Sequence, residues 1–134
     1  MSFRASAATF CLLGLACLLS ACGGIESPSQ NQVQDFSATL QVGSSNTHPF
    51  NTSKNGEFTM TITNLSDRTL IVGTALGQIV SGGCSPISGF VQPYARWNQQ
   101  ALGGPINKGS YCAIVYDSGT LTAPVTYTLH VSFP

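Results

Sequence analysis

The side chains able to do chemistry are few and far apart. The chain of 134 residues holds five cysteines, two histidines and five carboxylates. Hydrolysis without a metal needs a nucleophile, a base and a group that orients the base. His48 and His130 are the available bases, and each needs a carboxylate such as Glu57 or Asp117 within hydrogen-bond reach to serve. His48 precedes Pro49 in a stretch read as a polar loop, and His130 falls on an outward strand face between Thr128 and Ser132. Both read as solvated surface groups. Gly83-Cys84-Ser85 begins like a nucleophile elbow but lacks the second glycine, so Ser85 before Pro86 reads as a turn. Asp117 before Ser118-Gly119, and Asp67 before Arg68, read as turn residues that bond local N–H groups. With Glu26 and Asp35 these carboxylates are scattered, whereas calcium takes about six to eight converging oxygens. The expectation is a non-enzyme, with no metal and no cofactor.

One aromatic and cationic cluster stands out. "PYARW" places Tyr94, Arg96 and Trp97 in an irregular segment. Aromatics presented from a rigid scaffold make binding surfaces, by stacking on sugars or anchoring a protein. Packing of the single Trp into the core is the alternative. The three residues are the candidate binding surface.

The cysteines divide by position. Arg4 precedes "ASAATFCLLGLACLLSA", an apolar run without charge, and Cys22 follows. A charged start, an apolar middle and small residues before a cut describe a secretory signal peptide. The strongly apolar part is shorter than the roughly 20 residues of a membrane-spanning helix. Leu19-Ser20-Ala21-Cys22 resembles the lipobox of bacterial lipoproteins, complete at all four positions. The resemblance implies cleavage before Cys22, a diacylglyceryl group on its thiol, and anchorage to a bacterial envelope membrane. Gly23 in place of Asp implies the outer membrane or cell surface. Two or three acyl chains, at about 0.8 kcal/mol per buried methylene, anchor stably. Residues 1–21 are then signal peptide. A rival reading, secretion in a non-bacterial host, would make Asn51 and Asn64 glycosylation acceptors.

Processing removes Cys11 and Cys17 and assigns Cys22 to lipid. Cys84 and Cys112 remain, and an exported pair in an oxidising compartment forms a disulfide by default. Two distant cysteines without a histidine cluster make a poor zinc site.

Five basic residues balance five acidic ones, so no basic footprint for nucleic acid exists. Charged residues are 7% and hydrophobic residues 43%. Polarity must come from Ser, Thr, Asn, Gln and Gly, which suits an exported β-protein. Residues 22–34 read as the lipidated cysteine and a flexible tether, spanning roughly 20 Å on average. A domain over 35–134 follows. "DFSATLQV", "EFTMTIT" and "PVTYTLHVSFP" alternate strictly, each with one buried face. "TLIVGTALGQIV" is more continuously apolar, as a strand covered on both faces is. Residues 43–56 and "SGGCSPISG" read as loops, and "FVQPYARWNQQALGGPINKG" as one or two short strands near Phe90-Val91 and Ala95-Trp97. No helical period appears. Seven or eight strands in about 100 residues predict a single antiparallel β-sandwich.

"GSYCAIVYDSG" followed by "VTYTLHVSFP" resembles the end of bacterial pre-peptidase C-terminal domains, at Gly109, Tyr111, Val115, Tyr127, Thr128, Leu129 and Val131. The resemblance implies a small jelly-roll sandwich of a kind that usually accompanies secreted proteases, some of which bind collagen or calcium. The stretch between Cys22 and the first strand reads as too short for a protease, and the scattered carboxylates offer no clear counterparts of the calcium ligands. The functional expectation is a non-catalytic, lipid-anchored envelope module that binds a protein or glycan partner. A structural subunit of an envelope assembly and a small exported enzyme are the alternatives.

Overall fold

The computed structural model describes residues 28–134. The stretches read as signal peptide, as lipobox with Cys22 and as the first part of a tether lie outside the described residues. A short 3-10 turn, Pro28–Gln30, leads into eight strands: β1 Gln32–Leu40, β2 Ser45–Thr52, β3 Gly56–Leu65, β4 Val72–Val80, β5 Gly83–Ala95, β6 Gln100–Ile106, β7 Gly109–Tyr116 and β8 Val125–Phe133. They form two four-stranded antiparallel sheets, in the orders β1-β8-β3-β6 and β2-β7-β4-β5. Every connection except the β4–β5 hairpin crosses from one sheet to the other, which is the jelly-roll arrangement of a sandwich.

Alternation builds the core. Val125, Tyr127, Leu129, Val131 and Phe133 of β8 are all buried, while the residues between them are not. Phe58, Met60 and Ile62 of β3 do the same beside them. From the second sheet come Tyr111, Ala113 and Val115 of β7, with Val72 and Leu76 of β4. Phe50 stands between Tyr111 and Phe133, its ring centroid 6.0 Å and 4.8 Å from theirs. The continuously apolar reading of β4 is also correct: Val72–Gly77 is buried on both faces.

Three loop readings give way to strands. The stretch read as the loop 43–56 contains β2, so His48 is a strand residue. Its alternation was hidden because the inward positions Asn46, His48, Phe50 and Thr52 are mostly polar. Cys84 and Ser85 lie in β5 rather than a loop, because Ser81 and Gly82, both at positive φ, turn β4 into β5 within two residues. Residues 90–109, read as one or two short strands, supply the end of the long strand β5 and then β6. Along β5, Pro86 faces Gly77 and Val91 faces Ala75, so a bulge of extra residues lies between them. Gly89 turns there at φ 89°, and Phe90 swings in against Phe58 at 5.4 Å. At the other end of the chain, β1 starts at Gln32, inside the stretch read as tether.

Candidate functional site

The outer face of the second sheet carries an open trough of about 350 Å³. Its geometry follows from small residues on β4. Gly73, Ala75 and Gly77 alternate outward along that strand, opposite Tyr116, Ile114 and Cys112 of β7. A Cβ on Gly73 would overlap the Tyr116 ring, so this ring lies flat over the bare backbone. A Cβ on Gly77 would come within 2.7 Å of the Cys84 sulfur and 2.8 Å of the Cys112 sulfur. The disulfide joining these two cysteines therefore passes over Gly77. Between ring and bridge, Ala75 and Ile114 form an apolar floor. Pro86 and Val91 of β5 make one wall, and Ser45 and Thr47 of β2 close the other side. No charged residue lines it among the described residues.

The bridge shapes this face. Cys84 and Cys112 lie on strands separated by β4, and two strand spacings come to roughly 9.6 Å in a flat sheet. Their Cα atoms are only 6.0 Å apart. The start of β5 must curl over β4, and a side-chain-free position beneath the sulfurs is what lets it do so.

Of the sequence candidates, Tyr94 is 67% exposed and belongs to this face. Burial raises the Tyr116 phenol above its ordinary range, and neighbouring Tyr94 adds to the shift. Val91 is exposed between them and the bridge. Trp97 goes elsewhere. It lies beyond the buried Ala95, at the corner where the chain passes from β5 to β6. There it is half-buried against the core, bridged to Ile62 of β3, and its indole N–H donates to the Thr63 carbonyl at 3.2 Å. The Arg68 guanidinium sits 4.2 Å from its ring centroid. Trp97 thus closes the β5–β6 side of the sandwich, with a cation over one ring face. Arg96 is exposed.

The histidines do not meet Glu57 or Asp117. His48 Nε2 lies 2.7 Å from the Tyr127 hydroxyl, and its ring stacks on Phe36 at 4.8 Å. Asn46 also donates to that hydroxyl, at 3.2 Å. With Asn46 donating to the hydroxyl, the phenolic proton is left to point at an unprotonated His48 Nε2. Burial lowers its pKa, in keeping with that state. His130 Nδ1 lies 2.7 Å from an Asp35 carboxylate oxygen on the outer face of the first sheet. Asp35 was missed as a partner because β1 and β8 are the first and last strands, and their register is not written in either one.

Asp117 has the turn role expected of it, and a second one. One carboxylate oxygen accepts from the N–H groups of Gly119, Thr120 and Leu121 at 2.8, 3.0 and 3.2 Å, and the other from Gly43 at 2.8 Å. These bonds, Gly43 first, hold its pKa below the ordinary carboxylate value. Asp67 accepts from the Thr69 hydroxyl at 2.6 Å and its N–H at 2.9 Å in a local turn. Among the described residues no group of three or more His, Cys, Asp or Glu side chains converges.

The chain matches no protein-family model and no curated protein.

Proposed function

We propose that this protein is a non-catalytic binding module of a bacterial envelope, held at a membrane by a lipid on Cys22, which receives an apolar segment of another exported protein. The trough carries this reading. It is uncharged, and its ends and floor are fixed by Tyr116, Ala75 and the Cys84–Cys112 bridge. Concave apolar surface with a few polar groups at its margin is the usual form of a binding site. The exposed Tyr94 and Val91 beside it supply the aromatic and aliphatic contacts that anchor protein partners. The lipobox sequence Leu19-Ser20-Ala21-Cys22 supports the membrane location. The likeness to pre-peptidase C-terminal domains is supported by Gly109, Tyr111 and Val115 falling on β7, and Tyr127 to Val131 on β8, of a jelly roll.

The test is site-directed photo-crosslinking from position 47, on the β2 side of the trough, in the native envelope. A defined exported protein, captured by the native trough and lost with Val91→Asp, is the expected result. Capture that is indifferent to Val91→Asp and Tyr94→Ala rejects the trough as the site. Glycan recognition is the second reading, and the exposed Tyr94 ring favours it. Glycan binding lost in Tyr94→Ala but kept in Val91→Asp would select it. The anchor is read separately, by acyl mass on a Cys22 peptide of the mature protein.

A further inference from the structure

A sandwich of two open sheets has four edge strands, here β1, β6, β2 and β5. An open edge presents free N–H and C=O groups that template pairing with another chain, and proteins block such edges with proline, lysine or bulges. Pro49 interrupts β2, Pro86 and Pro93 interrupt β5, and Pro105 interrupts β6. The pairings of β5 with β4 and of β6 with β3 are further broken by register shifts. β1 is the one edge strand of the four with no proline. "QVQDFSATL" has no proline and no lysine, and it pairs with β8 from Gln32 to Leu40 without a shift.

One bond fixes which groups face outward. The Asn46 side-chain amide, on β2, donates to the Thr39 carbonyl at 3.0 Å. That carbonyl therefore points away from β8. In an unbroken antiparallel ladder a residue's N–H and C=O share one side, and alternate residues repeat it. Val33, Asp35 and Ser37 accordingly aim their N–H and C=O groups at the open edge.

We propose that a second copy of the chain pairs at this edge, β1 against β1 about a twofold axis, joining the two first sheets into one continuous sheet. The charge on β1 excludes one register. Centring the axis on Asp35 would set the two Asp35 carboxylates opposite each other, and like charges directly opposite are destabilising. Centring it on Phe36 sets Asp35 against Ser37 twice, an uncharged side chain (its hydroxyl bonded to Thr128 at 2.8 Å) opposite each carboxylate, and these residues exchange their free backbone bonds. Val33 then faces Thr39, whose carbonyl is taken by Asn46 and whose N–H has no partner among the described residues. The two Phe36 rings meet as a non-hydrogen-bonded pair, where Cα atoms approach to about 4.5 Å. Phe36 is only partly buried within its own chain, so the second ring covers it. Asp35 is the only charge on the strand, so this register creates no like-charge pair. The inference rests neither on the trough nor on the lipid anchor.

Sedimentation equilibrium of the purified full chain tests it. A concentration-dependent dimer is expected. Ser37→Asp places an introduced carboxylate opposite each Asp35 and should weaken association roughly tenfold, with the far-ultraviolet circular dichroism unchanged. Adding Asp35→Lys to Ser37→Asp makes both pairs complementary and should restore the dimer. Independently, Phe36→Cys should oxidise to a covalent dimer that the unsubstituted chain does not form under the same conditions, because self-opposed non-hydrogen-bonded positions lie within disulfide reach. A chain that sediments as a monomer at every concentration, a dimer unaffected by Ser37→Asp, or no rescue in the double variant overturns the proposal.

Discussion

The sulfur atoms of Cys84 and Cys112 meet above a strand that belongs to neither of them. β4 runs between β5 and β7, and Gly77 is the residue over which the bridge passes. The pair is therefore a clamp across three strands, and it fixes one end of the trough. Gly77→Ala should destabilise the oxidised protein by about 1–3 kcal/mol, since the added methyl meets both sulfurs and the Ser85 carbonyl at 2.9 Å. Urea unfolding of the same variant in a Cys84→Ala, Cys112→Ala background should show a smaller loss. Equal losses in both backgrounds would mean that the bridge does not press on this position. Breaking the bridge alone should cost about 3.5 kcal/mol by chain entropy.

Thr74 is a polar residue spent in the core. It faces inward on β4, is fully buried, and its hydroxyl has no partner among the described residues. Valine keeps the shape without the unpaired oxygen. Thr74→Val should raise stability by about 1 kcal/mol, measured by denaturant midpoint at constant slope. A loss of that size would show that the hydroxyl is satisfied.

His48 makes stability depend on mild acid. The folded state holds the ring neutral between Phe36 and the Tyr127 hydroxyl, with Asn46 the other polar neighbour. Its pKa is lowered from 6.5 by burial, so the folded chain binds fewer protons than the unfolded one. This contribution is complete above about pH 6.5 and is lost as pH falls through the lowered value. Unfolding free energy followed from pH 8 to pH 5 should decline, and His48→Gln should flatten the decline. An unchanged slope in that variant would assign the effect to another group.

Asp117 ties two loops together at one end of the sandwich. Its ionised carboxylate holds the 117–121 loop and the Gly43 turn at once. Its pKa is depressed, so its stabilising effect is present above its ordinary value of 3.8 and fades as pH falls through the lowered one. Asp117→Ala should speed amide exchange at Gly43 and Gly119 together, and should leave β3 amides protected. Faster exchange at only one of the two would limit the aspartate to a local turn.

Much of the sandwich is legible in the sequence. β3 and β8 alternate so strictly that their buried faces can be assigned residue by residue. β2 could not be found in this way, because its inward positions carry Asn46, His48 and Thr52, whose polar atoms are satisfied only by partners elsewhere in the fold. Thr52 bonds to the Asn107 carbonyl at 2.7 Å, for instance. The trough was also out of reach. Gly73 and Gly77 read as points of close packing, but nothing local says that Tyr116 covers one and a disulfide the other.

The sequence by itself determined the class of fold and the buried faces of β3 and β8, and it predicted the pairing of Cys84 with Cys112. The first two follow from side-chain period and hydrophobic content, which are properties of the chain; the third rested on the reading that Cys11 and Cys17 are removed and Cys22 is lipidated. Tertiary structure alone decided that Tyr94 and Trp97, three residues apart, serve different faces, and that Asp35 meets His130 across 95 residues. Strand order and register bring distant positions together, and the free energy that selects them is shared among both sheets rather than held in any one segment.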